Sequence, residues 1–270
     1  MIKLIATDMD GTFLDANGTY DKKRLNTVLK GFKKRGIVFV AASGRSLLSL
    51  ESLFADFRDQ MGFVAENGSA LVVGGELTFE KHLTKEQYLE IIQLLLASPY
   101  MNGHEYLLSG KNGAYVHQDA SSDYVNFISN YYKNIQRVDS FEAIDDVIFK
   151  LTANFTEETV LEGEKWVTER LSYANAVTTG FQSVDIILDA VTKRTGLEAL
   201  CTQLGIKRDE VLAFGDNLND YEMLEFSGTA IATGNARDEI KAISQEVIDS
   251  CEKESVMAYM EGILDDKKRH

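Results

Sequence analysis

The chain has 270 residues, with 42 acidic and 28 basic side chains, so its formal net charge is -14 and its pI is near 4.8. A surface of this sign repels nucleic-acid phosphates and anionic lipid headgroups, which argues against nucleic-acid and membrane partners. No apolar run approaches the roughly 20 residues that span a bilayer, and two cysteines cannot form a disulfide framework. These features predict a reduced, cytoplasmic, globular protein.

The first third of the chain alternates predicted strands with predicted helices. The apolar runs that predict strands occupy residues 2–7, 37–42 and 63–65. Residues 25–32 and 47–54 repeat their apolar side chains at helical spacing, and Gly36 stands where the first of these helices should end. Strands that alternate with helices form parallel sheets, because parallel neighbours need crossover connections. Two further short runs, separated by a pair of glycines, predict a hairpin at 71–79.

The middle third mixes hairpins and helices. Thr84 and Gln87 are spaced as a capping box, which predicts the start of a helix that runs to Pro99. Apolar runs at 106–108 and 114–116 flank a glycine-containing turn and predict another hairpin. Further helix and strand patterns occupy 121–133, 147–155, 157–171 and 183–188. This change of pattern predicts an inserted α+β domain.

The alternation of the first third resumes at Lys193. The strands predicted there occupy 211–214 and 229–232, each followed by a helix. We therefore predict an α/β fold, with a doubly wound, mainly parallel, Rossmann-like sheet formed by residues 1–82 and 189–270. Residues 83–188 are predicted to form an inserted α+β cap.

Three predicted strands end in polar clusters at what should be one edge of the sheet. The clusters are Asp8-Met9-Asp10-Gly11-Thr12, Ser43-Gly44-Arg45 and Gly215-Asp216-Asn217-Leu218-Asn219-Asp220. Ligands of open parallel sheets bind beyond the carboxyl ends of the strands, so the four aspartates should converge with Ser43 and Lys193. A single aspartate after a strand is usually a turn or a helix cap. Several crowded carboxylates repel one another unless a cation is present, so the set predicts a cation-dependent site.

The first of these clusters resembles the first motif of the haloacid dehalogenase superfamily of phosphotransferases. Ser43, Lys193 and residues 215–220 resemble its second, third and fourth motifs, in the right order. The segment Glu66-Asn67-Gly68, and an insert between the second and third motifs, are similar to the Cof-type subfamily (IIB), which includes bacterial sugar phosphatases. Many of these proteins place glycine directly after the motif lysine, where this chain has Arg194. The shape of that loop is therefore expected to differ.

The resemblance implies a phosphoric monoester hydrolase with Mg²⁺ as cofactor, acting on small phosphorylated metabolites and above all on sugar phosphates. A carboxylate nucleophile divides this slow hydrolysis into formation and breakdown of an aspartyl phosphate, and Asp8 is the expected nucleophile. The implied metal ligands are the Asp8 carboxylate, the Asp10 backbone carbonyl and the Asp216 carboxylate. Asp220 is expected to hold metal-bound water or to orient its neighbours. The cap is the expected lid, on which substrate preference would depend.

Asp10, two residues beyond Asp8, is the expected general acid for the leaving alcohol and then the base that activates water. The groups expected to bind the phosphoryl oxygens are the amides of Met9 and Gly44, the hydroxyl of Ser43, the ammonium of Lys193 and the side chain of Asn219. Thr12 is expected either to position Asp10 or to cap the turn. Arg45 is expected either to reach the substrate or to pair with a carboxylate.

Two other functions remain compatible with these motifs. A phosphosugar mutase uses a related capped fold, although the arginines of the insert, Arg137 and Arg170, are few for gripping a second phosphate. A signalling receiver also has an acidic pocket and a phosphorylatable aspartate, but it needs neither the Asp10 position nor a cap. The four histidines show no metal-ligand spacing, so no histidine metal site is expected. No motif in the insert distinguishes one sugar from another, and no pattern indicates an oligomeric state.

Overall fold

The computed structural model describes residues 1–180 and 182–265 and consists of two compact units. The first unit comprises Met1–Ser43, Phe54–Glu80 and Thr192–His270, and the second comprises Gly44–Leu53 and Lys81–Val191. The second unit thus includes residues 44–53, which the sequence pattern places in the first predicted domain. Of the predicted segment 189–270, residues 266–270 lie outside the described residues.

The regular elements are numbered in chain order through both units. The strands are β1 (Leu4–Thr7), β2 (Val38–Ala42), β3 (Gly62–Ala65), β4 (Ala70–Val73), β5 (Glu76–Glu80), β6 (Tyr106–Gly110), β7 (Ala114–His117), β8 (Ile135–Val138), β9 (Ile148–Asn154), β10 (Ala174–Gly180), β11 (Ser183–Leu188), β12 (Val211–Gly215), β13 (Thr229–Ala232) and β14 (Glu246–Val247). The helices are α1 (Lys22–Arg35), α2 (Leu47–Leu53), α3 (Lys85–Ala97), α4 (Ser122–Ile128), α5 (Val160–Thr168), α6 (Lys193–Leu204), α7 (Tyr221–Phe226), α8 (Asp238–Ile243) and α9 (Ser255–Asp265). Within the described part of the chain, every helix is too short or too polar to cross a membrane.

The sheet of the first unit has the strand order β14-β13-β12-β1-β2-β3-β4-β5. The strands from β14 to β3 run parallel, and β4 and β5 add an antiparallel hairpin at one edge. Every residue of β1 is buried, as expected for a parallel strand that helices cover on both faces. The prediction of a doubly wound, mainly parallel sheet is confirmed.

Local signals in the sequence determine both ends of helix α1. The carboxylate of Asp21 precedes the helix and accepts hydrogen bonds from the amides of Lys23 and Arg24. These amides are among the donors that a helix start leaves without intrahelical partners. Gly36 follows the last helical residue in the left-handed conformation and ends the helix where the sequence predicted.

The sheet of the second unit has the order β10-β11-β9-β6-β7-β8 and is antiparallel except for the β7–β8 pair. Helices α3 and α5 share a hydrophobic core with one face of this sheet, and α4 packs with a smaller cluster that includes Leu107. The predicted capping box between Thr84 and Gln87 is present at the start of α3. The α+β character predicted for this part of the chain is confirmed.

Two strands of the second sheet, β8 and β10, were not predicted from the sequence. The sequence of β8 is Ile-Gln-Arg-Val, and β10 contains asparagine and two threonines, so neither run is strongly apolar. Each obtains its backbone hydrogen bonds from a neighbour, β7 and β11 respectively. Pairing with these neighbours, rather than local pattern, therefore makes the two segments strands.

Candidate active site

The polar clusters of the first unit lie at the carboxyl ends of three adjacent parallel strands. Asp8 follows β1, Ser43 follows β2 and Asp216 follows β12. The backbone hydrogen bonding of the sheet extends one residue beyond β1, where the amide of Asp8 donates to the carbonyl of Phe214 at 3.0 Å. The amide of Ser43 donates to the carbonyl of Val64 at 2.8 Å. The sheet thus brings these clusters to one edge.

A group of three carboxylates forms the centre of this edge. Oxygens of Asp8, Asp216 and Asp220 lie within 4.8 Å of one another. The ammonium of Lys193, which is fully buried, donates to Asp8 Oδ1 and, at 2.6 Å, to Asp220 Oδ1. The Asp10 carboxylate, expected as the fourth, is not a member of this group, and Asp10 is exposed. Three of the four predicted carboxylates therefore form this group, and the convergence of Asp10 on the same crevice stays a prediction.

The charges within this group of four side chains do not balance. Burial raises the pKa of Asp8 well above its usual value, against the lowering effect of Lys193. Burial and the charge of Asp220 raise the pKa of Asp216 to about 6. Burial lowers the pKa of Lys193, but the charges of Asp220 and Asp8 outweigh this effect and leave it raised. One ammonium facing three carboxylates leaves excess negative charge, so the donor set fits a divalent metal ion.

The turn after β1 passes directly against Asp216. Gly11 has a φ of +85°, and a Cβ at this position would collide with the Asp216 carboxylate. The hydroxyl of Thr12 donates to Asp216 Oδ1 at 2.8 Å. Thr12 therefore helps to orient Asp216, and its predicted role in positioning Asp10 or capping the turn stays a prediction.

Asp220 makes hydrogen bonds through both of its oxygens. Oδ1 accepts the Lys193 bond, and Oδ2 accepts from the amides of Asp216 at 2.9 Å and Asn217 at 3.0 Å. Asp220 thereby orders the loop that carries Asp216. Asn219, in the same loop, is half-buried.

The other predicted phosphate-binding residues are divided between the two units. Met9 and Ser43 lie in the first unit and are buried. Gly44 and Arg45 follow Ser43 directly in the chain but belong to the second unit, and both are half-buried.

The segment Glu66-Asn67-Gly68 forms a tight turn after β3. Its three residues have φ values of 52°, 56° and 106°, in the left-handed region that only glycine adopts without strain. The amide of Asn67 donates to the carbonyl of Ser43 at 3.1 Å, and Gly68 packs against the carbonyl of Thr192, where α6 begins. The turn therefore contacts the backbone on both sides of the site, at Ser43 and next to Lys193.

Comparison with known proteins identifies the family. Residues 5–260 match the family model described as haloacid dehalogenase-like hydrolase. The chain belongs to this family. It is 34% identical to the 5-amino-6-(5-phospho-D-ribitylamino)uracil phosphatase YbjI of Escherichia coli (strain K12) over 264 residues. This alignment covers 97% of this chain and 96% of that protein.

Solved structures share the fold of this chain. SMU.1108c from Streptococcus mutans UA159 is 30% identical, with a TM-score of 0.89 over 98% of this chain and 99% of that one. The subclass IIB sugar phosphatase BT4131 shares the fold, with a TM-score of 0.80 at 20% identity over 97% and 98% of the two chains. As a haloacid dehalogenase-like hydrolase with phosphatase relatives, the protein is a phosphoric monoester hydrolase. The resemblance seen in its motifs is confirmed.

One residue that supports the site of this hydrolase was missed by the sequence analysis. Asn235 donates through Nδ2 to the carbonyl of Gly11 at 2.7 Å and accepts through Oδ1 from the amide of Cys251 at 3.0 Å. It therefore anchors the turn that follows β1. Its position just after β13, at the same edge of the sheet as Asp216, was the available signal.

A pair of histidines also comes together in the second unit, although their spacing in the sequence gave no sign of it. The rings of His104 and His117 stack with centroids 4.1 Å apart and planes 15° apart, and Asp119 lies beside them. The lone pairs of an imidazole lie in its ring plane, and two nearly parallel planes do not meet at a shared metal position. The stacked arrangement therefore does not present a chelating pair.

Proposed function

We propose that the protein is a Mg²⁺-dependent phosphatase that hydrolyses phosphate monoesters of small polyhydroxylated metabolites, sugar phosphates above all, with Asp8 as the nucleophile. The observation that carries this proposal is the setting of the Asp8 carboxylate. It is buried after the central strand, bound by Lys193 and within 4.8 Å of Asp216 and Asp220. A carboxylate in such a setting is held rigidly at the strand edge where phosphorylated ligands of open sheets bind.

The proposed metal ligands are the Asp8 and Asp216 carboxylates and the backbone carbonyl of Asp10. Mg²⁺ suits this set because it prefers oxygen ligands and keeps part of its shell for water and substrate oxygens. When bound, the ion would offset the negative charge that otherwise keeps a phosphate dianion away from Asp8. The hydrogen bonds of Asp220 to Lys193 and to two backbone amides favour an orienting role for that residue.

Two displacement steps at phosphorus would complete the reaction. In the first, an oxygen of Asp8 attacks, the bond to the leaving oxygen breaks, and Asp10 gives that oxygen a proton. In the second, water attacks the aspartyl phosphate, Asp10 takes a proton from it, and the bond between phosphorus and Asp8 breaks to release inorganic phosphate. The groups proposed to hold the phosphoryl oxygens are Lys193, the Ser43 hydroxyl, the amides of Met9 and Gly44, and Asn219.

We assign recognition of the leaving group to the second unit, as a substrate-specificity lid formed mainly by residues 83–188. The chain passes into this unit directly after Ser43, so the proposed phosphate-binding segment and the second unit are covalently continuous. The substrate named for the E. coli relative carries its phosphate on a ribityl chain, which is a polyol like an open-chain sugar. We therefore include phosphoribitylaminopyrimidines with sugar phosphates in the proposed substrate class.

The proposal is tested by turnover and by trapping the intermediate. Purified protein is assayed for phosphate release from p-nitrophenyl phosphate, a sugar phosphate panel and a phosphoribitylaminopyrimidine, with Mg²⁺ and with a chelator. Acid-quenched turnover mixtures are then examined by mass spectrometry for a phosphoryl group on the peptide containing Asp8. The proposal requires Mg²⁺-dependent release and this adduct. Conversion of a sugar phosphate to its positional isomer without phosphate release would instead identify a mutase, and a lasting adduct without turnover would identify a switch.

A further inference from the structure

A buried polar network lies in the sheet of the second unit. Lys150 of β9 and Asp185 of β11 are 2% and 3% exposed, and Lys150 Nζ donates to Asp185 Oδ2 at 2.5 Å. Asp185 pairs across the strands with Thr152, whose hydroxyl donates to Asp185 Oδ1 at 2.7 Å. The hydroxyl of Tyr132 lies 2.8 Å from that of Thr152. Lys150 Nζ also donates, at 2.7 Å, to the carbonyl of Gly44, which belongs to the same unit.

Packing alone does not account for this ion pair. The residues that alternate with it along the two strands, such as Leu151, Val184 and Ile186, belong to the hydrophobic core of the unit. A buried ion pair contributes about as much to stability as a well-packed apolar pair, because the cost of desolvating both charges offsets their attraction. An apolar pair, however, cannot hold a backbone carbonyl in a fixed position. The contact that distinguishes Lys150 is therefore the one to Gly44.

Two hydrogen bonds together fix the conformation of Gly44. The carbonyl of Ser43, in the peptide that also carries the Gly44 amide, accepts from Asn67 at 3.1 Å. The carbonyl of Gly44, in the next peptide, accepts from Lys150. Glycine has more backbone freedom than any other residue, so a glycine amide that binds phosphate needs external restraint to keep its direction.

We propose that Lys150, held in place by Asp185, is a positioning residue for the phosphate-binding amide of Gly44. This inference rests on the proposed function, since it assumes that Gly44 binds the phosphoryl group.

The test compares Lys150→Met with the wild-type protein. Methionine keeps an unbranched stem of similar length and removes the ammonium. Binding of inorganic phosphate in the presence of Mg²⁺, measured by calorimetry, is expected to weaken about 10- to 100-fold, the range for loss of a charged hydrogen bond. The value of kcat/KM is expected to fall by a similar factor for p-nitrophenyl phosphate and for a sugar phosphate, because the phosphoryl end is common to both.

Asn154→Leu is the matched control. Asn154 lies on the same face of β9 and is 5% exposed, but its Oδ1 accepts from the Ser183 hydroxyl at 3.0 Å rather than contacting Gly44. This variant also exchanges a buried polar side chain for an apolar one, and phosphate binding is expected to match the wild type. If Lys150→Met does not fold, Thr152→Val, which removes one hydrogen bond to Asp185, is expected to weaken phosphate binding about two- to tenfold.

The outcomes separate this inference from the proposed function. Unchanged phosphate binding in folded Lys150→Met would overturn the inference, as would a loss confined to the sugar phosphate, which would make Lys150 a residue for leaving-group specificity. An equal loss of phosphate binding in Lys150→Met and Asn154→Leu would also overturn the inference. Absence of hydrolysis by the wild-type protein, with phosphate binding still dependent on Lys150, would refute the proposed function alone.

Discussion

The proposed chemistry depends first on the charge of one side chain, that of Asp8. Asparagine is nearly isosteric with aspartate but lacks the nucleophilic oxygen charge. Asp8→Asn is therefore expected to lower kcat about 10³-fold or more while the protein stays folded. The measurement is turnover of p-nitrophenyl phosphate, with circular dichroism to check folding. Asp139→Asn removes an exposed carboxylate and should leave turnover unchanged. Substantial activity in Asp8→Asn would exclude an aspartyl-phosphate route.

The assignment of Asp10 predicts a dependence on the leaving group. In Asp10→Asn the amide cannot give a proton to the departing oxygen. The phosphorylation step should therefore slow about 10²-fold or more for a sugar phosphate, whose alcohol needs that proton, and less for p-nitrophenyl phosphate. Single-turnover rates of adduct formation measure the phosphorylation step directly for each of the two substrates. Equal slowing for both substrates would show that Asp10 is not the acid.

At the scale of single residues, sequence motifs predicted which side chains meet but not how they bond. Asp8, Asp216, Asp220 and Lys193 were expected at one edge because each lies at a strand end or a helix start. The bond from Thr12 to Asp216 joins residues 204 positions apart, so only tertiary packing determines it. The bond from Asn235 to the Gly11 carbonyl spans 224 positions, so the place of Asn235 after β13 indicated the edge of the sheet but not this partner.

Among the structural elements, the Glu66–Gly68 turn offers a direct test of how the site is held. A Cβ on Gly68 would collide with the carbonyl of Thr192 and shift the start of α6, and with it Lys193. Gly68→Ala is therefore expected to lower kcat/KM about tenfold or more, since small displacements of catalytic groups are costly. Steady-state kinetics with p-nitrophenyl phosphate measures the effect.

Gly74→Ala is the control for this prediction. Gly74 also has a positive φ, of +58°, but a Cβ there would have nothing within 4 Å. Both variants should lose about 1 kcal/mol of stability through backbone strain. Gly68→Ala should lose more through the collision with Thr192, and only Gly68→Ala should lose activity. Equal activities in the two variants would mean that the turn does not position Lys193.

The elements themselves show where sequence patterns succeed. Helices α1 and α3 were predicted with their ends because Asp21, Gly36 and the Thr84–Gln87 capping box act locally. Strands β8 and β10 were missed because their polar residues carry no alternating pattern. The grouping of α2 with the second unit was also unpredictable, since an amphipathic pattern shows which face of a helix is buried but not against what.

At the scale of the whole molecule, the crowded carboxylates link stability to pH. The pKa of Asp216 is raised in the folded protein to about 6, mainly by burial and by the charge of Asp220. Between its usual value of 3.8 and this raised value, the folded state binds more protons than the unfolded state. The contribution of Asp216 to the free energy of unfolding of the metal-free protein therefore falls as pH rises through this interval. Burial acts on Asp8 in the same direction.

Two carboxylates that accept backbone hydrogen bonds act in the opposite direction but at lower pH. Hydrogen bonds from backbone amides lower the pKa values of Asp21 and Glu210, so their contribution is lost only as pH falls below their usual values of 3.8 and 4.5. In the interval from pH 5 to 7, the pH dependence of stability therefore comes from carboxyl groups whose pKa values burial raises, namely those of Asp216, Asp8 and Glu105.

We therefore expect the metal-free protein to be more stable at pH 5 than at pH 7, by on the order of 1 kcal/mol. Added Mg²⁺ should stabilise the protein strongly at pH 7 and weakly at pH 5, because protons compete with the metal for the same carboxylates. Urea unfolding at both pH values, with a chelator and with Mg²⁺, measures both effects. Asp216→Asn should reduce the pH dependence of the metal-free protein and the stabilisation by Mg²⁺ together. If Asp216→Asn kept the full pH dependence of stability, Asp216 would not carry the excess negative charge. The group of Asp8, Asp216 and Asp220 would then not be the metal site.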